Sequence, residues 1–350
     1  MHNMNRFHWH LTEDQGWRLE IKKYPLLTAI GSKRAETVIG HNTQIGDGTP
    51  YEGYYTQDEA RDIVEYARQR HIVVVPEIDM PGHQLAALAA MPNLGCTGGP
   101  YKVGTVWGVY DDILCLGNED TYKFCEDVLS ELIDIFPSEV IHIGGDEAPT
   151  VRVEHCPKCQ ALMQREHLTP KNIQGYFTNR IEKFVNSKGR RIMGWDEIMD
   201  GDINTSAMVH CWRNPSFGIK AAQKGHDVVL SPTKYCYFDF YQANPRAVHE
   251  PLAIGGYLPV DSVYNMDTMP KDISPENRKH IIGIQANLWT EYVAVPNHAE
   301  YMLLPRMAAL AENAWVKDRG PYSAFLPRLT RLKSLYDVYN LHYANHVWKK

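Results

Sequence analysis

The chain has 350 residues, of which 44% are hydrophobic and 22% are charged, and these values exclude a disordered, collagen-like or coiled-coil chain. Its 36 Lys and Arg residues against 42 Asp and Glu residues give a formal net charge of −6 without any marked basic run, so we expect no nucleic-acid partner. No apolar run reaches the length of a membrane span, and the first residues contain no apolar signal region.

Short apolar runs recur along the chain and alternate with segments of helical periodicity. The runs predict seven strands, at Arg6–Leu11, Ile72–Ile78, Val140–Ile143, Arg191–Trp195, Ala207–Trp212, Asp227–Leu230 and Ile281–Leu288. Helices are predicted at Gln57–Arg70, with Thr56 as its N-cap, and at Glu119–Phe136, Lys171–Ser187, Phe217–Lys224, Glu300–Trp315 and Tyr322–Tyr339. Apolar strands separated by helices are typical of a parallel sheet covered on both faces.

A series of βα units in a chain of this length predicts an α/β fold, with a (β/α)8 TIM barrel favoured over an open doubly wound sheet. Polar or aromatic clusters follow nearly every predicted strand. In a barrel the carboxyl ends of the strands converge on one mouth, where active sites lie. Seven strands rather than eight are predicted, and no linker or repeat divides the chain. We therefore expect one catalytic domain over residues 1–350, a barrel that lacks its first βα unit.

The strongest chemical signal is a pair of adjacent carboxylates, Asp146 and Glu147, which follow a predicted strand and two glycines. Gly144 and Gly145 allow the chain to turn away from the strand, so that both carboxylates can serve one pocket. Two neighbouring carboxyl groups can then divide their roles, one staying ionised while the other acts as an acid. On these residues alone, a glycine turn with two solvated acids is the alternative.

Aromatic residues at the strand ends predict a sugar-binding pocket. Trp195, Trp212 and Trp289 follow three different strands. Aromatic faces bind the apolar side of a sugar ring, and carboxylates bind its hydroxyl groups. The other members of this predicted pocket are Tyr235, Tyr237, Asp239 and Glu291.

Histidines on the first strand raise the alternative of a metal-dependent barrel hydrolase. The two imidazoles of His8-Trp9-His10 face the same side of the strand, as metal ligands in such barrels do. The last strand, however, ends in Trp289 and Glu291, without the Asp that this scheme requires. We therefore expect no catalytic metal and no cofactor.

The seven cysteines are scattered and predict no disulfide framework. Cys156-Pro157-Lys158-Cys159 is a single C-x-x-C motif, whereas a zinc ribbon needs a second pair, so no metal is expected there. Cys96 and Cys115 flank a glycine-rich loop, and either a disulfide bridge or two buried thiols agrees with that position.

The chain resembles glycoside hydrolase family 20, the β-N-acetylhexosaminidases, in the style of its bacterial members, because it contains several long motifs in the order that the family has. The matching strings run from Asn5 to Arg18, Pro76 to His83, His142 to Glu147, Gly194 to Glu197 and Gln285 to Glu291. The resemblance implies an exo-acting retaining enzyme that releases terminal β-linked N-acetylglucosamine or N-acetylgalactosamine. It also implies substrate-assisted catalysis, in which the 2-acetamido oxygen of the substrate forms an oxazolinium intermediate.

The resemblance also implies a role for each site residue. Asp146 would orient and stabilise the acetamido group, and Glu147 would protonate the leaving oxygen and then activate water. Tyr237 would bind the acetamido oxygen. The remaining roles are walls of the pocket for Trp195, Trp212 and Trp289, binding of ring hydroxyls for Asp239 and Glu291, and a polar support near Glu147 for His83 with Glu13 or Asp14.

Two features depart from the family pattern. The family usually has Asp at the position of Glu13, and it carries a sugar-binding Arg on a first barrel strand that this chain lacks. Full-length relatives also have a signal peptide, which implies a periplasmic or secreted location for them, and a small α/β domain before the barrel. The expected partner is a glycan with a terminal N-acetylhexosamine, and self-association through the gap in the barrel is expected as well. A catalytically weak sugar-binding remnant is the alternative function.

Overall fold

The computed structural model describes residues 1–349 as two compact units. The N-terminal unit comprises Asn5–Val209, and the C-terminal unit comprises Met1–Met4 together with His210–Lys350. All seven predicted strands are present, with ends that differ by a few residues from the prediction. They are β1 (Arg6–His10), β2 (Val73–Glu77), β3 (Val140–His142), β4 (Arg191–Trp195), β5 (Met208–Cys211), β6 (Val228–Leu230) and β7 (Ile281–Ile284).

The N-terminal unit contains a parallel sheet in which β1 pairs with β2, β2 with β3 and β3 with β4. His10 lies opposite Glu77, and Glu77 lies opposite His142. These polar residues share one face of the sheet because side chains alternate along a strand. Trp9 points to the other face, where its ring packs edge-on against Phe136 at 6.1 Å. The sheet therefore has one face packed under helices and one face lined by ionisable side chains.

The helices of this unit are α1 (Leu26–Ala29), α2 (Gln57–Arg68), α3 (Leu85–Ala90), α4 (Glu119–Ile135), α5 (Pro157–Glu166) and α6 (Ile173–Ser187). The start of α2 is as predicted: Thr56 Oγ1 accepts the Glu59 N–H at 3.2 Å, and Glu59 accepts the Thr56 N–H at 2.8 Å. This reciprocal arrangement satisfies two backbone donors that the first helical turn leaves without partners. Short 3₁₀ helices cover Pro92–Leu94, Val153–His155 and Asp196–Asp200, and two short antiparallel pairs join Thr12–Glu13 to Gly16–Trp17 and Lys33–Arg34 to Tyr51–Glu52.

In the C-terminal unit β6 and β7 pair in parallel, with Leu230 opposite Ile284. The helices are α7 (Pro215–Gln223), α8 (Thr233–Cys236), α9 (Val260–Tyr264), α10 (Pro296–Leu303), α11 (Arg306–Trp315) and α12 (Tyr322–Val338). Short 3₁₀ helices cover Pro275–His280 and His346–Trp348, and Phe240–Tyr241 pairs with Gly255–Tyr257.

The single helix predicted over Glu300–Trp315 is wrong, because two helices, α10 and α11, occupy this stretch. Leu304 and Pro305 lie between them. Proline has no backbone N–H to donate and clashes with the preceding turn, so a continuous helix is strongly disfavoured at this point.

The predicted α/β class is confirmed, since parallel strands alternate with helices along the chain. Within residues 1–349, no helix combines the length and the apolar character needed to cross a membrane.

Candidate active site

A buried carboxylate, Glu77 at the end of β2, organises the ionisable face of the N-terminal sheet. His8 Nε2 lies 2.7 Å and His10 Nδ1 lies 3.0 Å from Glu77 Oε2. The indole Nε1 of Trp195, a residue that is only 1% exposed, donates to Glu77 Oε1 at 3.0 Å. Burial alone would raise the pKa of Glu77, but the charges of His142, His10 and His8 hold this pKa well below its usual range. The His-x-His pair of β1 therefore contacts this carboxylate, and Trp195 is anchored to it.

The chain turns sharply after β3, and this turn carries Asp146 and Glu147. Gly144 and Gly145 adopt φ angles of +65° and +97°, and Glu147 itself has a φ of +44°. A Cβ on Gly144 would lie 2.8 Å from Cα of Asp79 and still closer to its carboxylate, so a side chain is excluded at this position. The Asp79 carboxylate accepts the Gly145 N–H at 3.0 Å. The two glycines thus allow the departure from the strand that the sequence predicted.

One imidazole, that of His83, connects the predicted acidic residues of this unit. Its Nδ1 lies 2.8 Å from Glu13 Oε1 and 3.2 Å from Asp14 Oδ2. Its Nε2 lies 3.5 Å from Glu147 Oε2 and 3.8 Å from Asp146 Oδ2. The structure therefore brings these five residues into one cluster, although they come from three separate loops.

The surroundings of this cluster shift the pKa values of its ionisable groups away from their usual values. Burial alone would lower the pKa of His83, but the charge of Glu13 and hydrogen bonds to Asp14 and Glu13 raise this pKa well above its usual range. Burial raises the pKa of Asp146 to about 6, and the charges of Glu77 and Glu147 add to this increase while His83 opposes it. Asp79 has a pKa raised well above the usual range by burial and by the Asp146 charge. The directions of these shifts favour the protonated imidazole at His83 and the neutral carboxyl at Asp79, whereas a pKa of about 6 leaves Asp146 mostly ionised at neutral pH.

The C-terminal unit holds a second group of predicted residues, centred on Tyr237. Its ring stacks near Trp212 with centroids 6.1 Å apart and planes at 28°. Backbone hydrogen bonds from Phe238 N to Asn287 O at 2.7 Å and from Asn287 N to Cys236 O at 2.8 Å hold the two segments together. This pairing explains why β7 is shorter than predicted: after Ile284 the chain continues beside the segment that carries Tyr237. Trp289 is half-buried and Glu291 is exposed, two and four positions beyond Asn287.

Asp239, also in this group, has a carboxylate that the described residues leave unsatisfied. Both oxygens are buried, and neither has a hydrogen-bond partner within residues 1–349. Burial raises the pKa of Asp239 to about 8, and the charge of Glu291 adds to this increase. Buried polar atoms are normally hydrogen-bonded, so an unsatisfied carboxylate is typical of a site that receives donors from a ligand. Sugar hydroxyl groups are donors of this kind.

Arg306, which is completely buried, fixes the backbone on both sides of Asp239. Its guanidinium donates to the carbonyl oxygens of Phe238 and Phe240, the latter at 2.9 Å, and to that of Leu258 at 3.1 Å. Burial lowers the pKa of Arg306 to about 9. We interpret Arg306 as a positioning residue for the Tyr237–Asp239 segment.

The buried Asp239 makes a prediction about stability. Its folded pKa of about 8 lies above the usual value of 3.8, so the folded state binds the extra proton between these pH values. Linkage then lowers the free energy of unfolding as pH rises from about 4 to 8. We expect Asp239→Asn to weaken this pH dependence and to be more stable than the parent chain at pH 8. Urea denaturation between pH 5 and 9 measures this, with the exposed Asp134→Asn as the control, and equal pH slopes in all three proteins would contradict it.

Three residues of these two groups escaped the sequence analysis: Glu77, Asp79 and Arg306. Glu77 and Asp79 lie in the Pro76–His83 string, but nothing in that string shows that either is buried. Arg306 follows Pro305 at the start of a helix and carries no local signal. Tyr235, which was expected beside Tyr237, lies on the short helix α8 and is half-buried.

The chain is similar to known glycoside hydrolases. The model of the glycosyl hydrolase family 20 catalytic domain matches residues 1–318. A beta-hexosaminidase of Porphyromonas gingivalis is 43% identical over 346 residues, which are 98% of this chain and 43% of that protein. A beta-hexosaminidase of Vibrio furnissii is 37% identical over 89% of this chain and 51% of its own length. The chain thus spans about half the length of these relatives.

The chain is also similar in fold to a solved structure. The GH20 exo-beta-N-acetylglucosaminidase of Vibrio harveyi, solved in complex with N-acetylglucosamine, is 34% identical with a TM-score of 0.85. The match covers 99% of this chain and 55% of that one.

Proposed function

Because the chain belongs to glycosyl hydrolase family 20, we propose that it is an exo-acting, retaining β-N-acetylhexosaminidase that releases terminal β-linked N-acetylglucosamine or N-acetylgalactosamine. The observation that carries the proposal is the Asp146–Glu147 pair, which lies on a glycine turn with the imidazole of His83 near both carboxylates. The family is one in which the substrate supplies the nucleophile. We therefore assign the attack on the anomeric carbon to the carbonyl oxygen of the 2-acetamido group.

In the first step, Asp146 accepts the N–H of the acetamido group and directs its oxygen at the anomeric carbon. The bond to the leaving oxygen breaks as the new carbon–oxygen bond forms, and the product is a positively charged oxazolinium ring. An ionised Asp146 stabilises this charge, and its raised pKa of about 6 still leaves it mostly ionised at neutral pH. A fixed charge aimed at the position where charge develops is a large catalytic term.

In this proposal Glu147 carries out both proton transfers. It gives its proton to the leaving oxygen in the first step. In the second step it removes a proton from water, which attacks the anomeric carbon and opens the oxazolinium ring. Two inversions at the same carbon retain its configuration. Its side chain is 40% exposed, which allows water and the leaving group to reach it, and His83 holds it at 3.5 Å.

The family also suggests substrate-binding roles, which we propose residue by residue. Tyr237 would donate its hydroxyl proton to the acetamido oxygen, and Asp239 and Glu291 would accept hydrogen bonds from ring hydroxyls. The unsatisfied oxygens of Asp239 support its role. Trp195, Trp212 and Trp289 would form apolar walls, and His83 with Glu13 and Asp14 would support the catalytic pair.

We also propose that residues 1–350 form one catalytic domain, a (β/α)8 barrel that lacks its first βα unit. Within residues 1–349, β1 has β2 as its one sheet neighbour, and β7 has β6 as its one sheet neighbour. Each of these strands also exposes an apolar side chain, Phe7 at 44% and Ile282 at 50%. Unpaired strand edges recruit further strands.

This proposal predicts self-association of the 350-residue chain. A second copy would pair with the outer edge of β1 or of β7. We expect light scattering to find dimers or larger species that dissociate on dilution. Introducing Lys at Phe7 should shift the population toward monomer, because a charge at a sheet edge opposes pairing, whereas Lys at the exposed Tyr66 on α2 should have no effect. A monomer at all concentrations would contradict the prediction.

The proposed activity is tested by assaying the full chain with 4-nitrophenyl glycosides as substrates. We expect hydrolysis of the N-acetyl-β-glucosaminide or N-acetyl-β-galactosaminide and no hydrolysis of the β-glucoside. N-acetylglucosamine-thiazoline, a stable mimic of the oxazolinium, should inhibit because analogues of reactive species bind more tightly than substrates. Calorimetric titration with the thiazoline keeps the test decisive at low turnover. Equal hydrolysis of glucoside and N-acetylglucosaminide, or neither turnover nor thiazoline binding, would overturn the proposal.

A further inference from the structure

Four cysteines meet in the N-terminal unit, away from the carboxylate cluster. They are Cys96, Cys115, Cys156 and Cys159, and their sulfur atoms all lie within 4.8 Å of one another. Three of them are buried, Cys96 is half-buried, and none forms a disulfide bond. Cys96 and Cys115 thus supply the second pair that the C-x-x-C motif was thought to lack.

The spacing of these sulfur atoms is that of a tetrahedral metal site. The measured separations are 3.8 Å between Cys96 and Cys159, 3.7 Å between Cys115 and Cys159, and 3.6 Å between Cys115 and Cys156. Four thiolates at the usual Zn–S bond length of about 2.3 Å lie about 3.8 Å from one another at the corners of a tetrahedron. Disulfide bonding would instead select two pairs at about 2 Å. Here Cys115 and Cys159 each have more than one close sulfur neighbour.

Local backbone structure holds the four sulfurs in place. Gly95 and Leu114 form an antiparallel bridge, and Cys115 N–H donates to Leu94 O at 2.7 Å, so Cys96 and Cys115 lie side by side. Cys156 directly precedes α5, and Cys159 lies in the first turn of this helix, where the helix dipole favours a negative charge.

Gly117 allows the two pairs to approach. A Cβ at this position would lie 2.2 Å from the backbone of Lys158 and 2.4 Å from the Cys159 nitrogen. Without a side chain at Gly117, the sulfur of Cys159 comes within 3.7 Å of Cys115 Sγ and 3.8 Å of Cys96 Sγ.

We propose that Cys96, Cys115, Cys156 and Cys159 bind one Zn²⁺ ion in a closed tetrahedral site. Four thiolates leave no position for water, so the ion has a structural role. On binding, the thiols release their protons to solvent. Zinc is the divalent ion that four thiolates in this geometry suit best, with a single iron as the competing occupant.

The site would connect the two loops that carry catalytic candidates. Leu114 N–H donates to Pro81 O at 3.0 Å, which lies two residues before His83, and Cys156 lies on the segment that follows Glu147. Zinc would hold together the loop that follows β2 and the loop that follows β3. The inference does not rest on the proposed activity, since metal content is measured without any substrate.

The experiment measures the metal of the full chain purified under reducing conditions with added zinc. We expect one equivalent of zinc per chain by elemental analysis, and cobalt exchange should give the thiolate-to-metal charge-transfer band and intense visible bands of a tetrahedral tetrathiolate. Cys159→Ser and Cys115→Ser should lose the zinc, while Cys125→Ser, at a buried cysteine on α4 outside the cluster, should retain it.

Removal of zinc from the parent chain should lower its melting temperature, and the same treatment should leave the melting temperature of Cys159→Ser unchanged. The cobalt spectrum of the parent chain keeps the test valid if a Ser variant fails to fold. A chain that binds no zinc when its thiols are reduced, one that holds iron in zinc-supplemented preparations, or one whose four cysteines map to two disulfide bonds would overturn the proposal.

Discussion

Replacing Glu147 with glutamine is expected to lower kcat for substrates with poor leaving groups by about 10²–10⁴-fold, because the amide cannot donate the proton that the departing oxygen needs. Glutamine preserves the shape of the side chain and its contact with His83, so binding of the thiazoline should change little. The measurement is steady-state hydrolysis of a disaccharide substrate together with calorimetric titration of the inhibitor.

The dependence on the leaving group distinguishes this role from a structural one. An activated leaving group, such as dinitrophenolate, departs without a proton. The kcat for a dinitrophenyl glycoside should therefore decrease much less than the kcat for an alkyl glycoside. The control variant is Glu154→Gln, on the same segment but exposed and outside the His83 cluster, and it should retain full activity. Equal losses for good and poor leaving groups would show that Glu147 is not the proton donor.

Replacing Asp146 with asparagine is expected to lower kcat/KM by about 10²–10³-fold, the usual effect of removing one group that stabilises charge in a transition state. Asparagine can still contact the acetamido group, but it carries no charge to stabilise the oxazolinium. We expect the loss for activated and non-activated leaving groups alike, in contrast to Glu147→Gln. Asp134→Asn, at an exposed position of α4, is the matched control.

The pH profile provides a second readout for Asp146. Burial raises its pKa to about 6, and the residue acts only when ionised, so kcat/KM of the parent chain should decrease as pH falls through about 6. This limb reports the free enzyme, and Asp146→Asn should not show it. A variant with an unchanged acid limb, or with nearly full activity, would contradict the assignment.

The elements that could be predicted from the sequence are those encoded locally. Apolar runs located most of the seven strands, because the face of a strand that packs under helices must be apolar. The Gly144-Gly145 pair located the turn, because positive φ angles are rare for other residues. The break before α11 is also marked locally, by Pro305. The helical periodicity on both sides of Pro305 nevertheless led to the prediction of one continuous helix.

The features that escaped prediction depend on residues far apart in the chain. The guanidinium of Arg306 donates to Met302 O, which is near in the chain, and to three carbonyl groups from two distant segments. A sequence window around position 306 does not contain those three. Cys96 and Cys115 join Cys156 only after the loops that follow β2 and β3 have packed together. In both cases, the burial of a polar group depends on partners that are distant in the sequence.

The central claim, that the substrate's own amide is the nucleophile while Asp146 and Glu147 assist it, is tested most directly by varying that amide. The measurement is kcat/KM of the chain for 4-nitrophenyl β-glucosaminides that carry N-acetyl, N-fluoroacetyl, N-difluoroacetyl and N-trifluoroacetyl groups. Fluorine withdraws electrons from the carbonyl oxygen and weakens it as a nucleophile, while the leaving group stays the same. We predict a steep, continuous decrease in rate with each added fluorine. Rates that stay constant across the series would show that a group of the protein, or water, attacks the sugar, and would contradict the mechanism proposed for this chain.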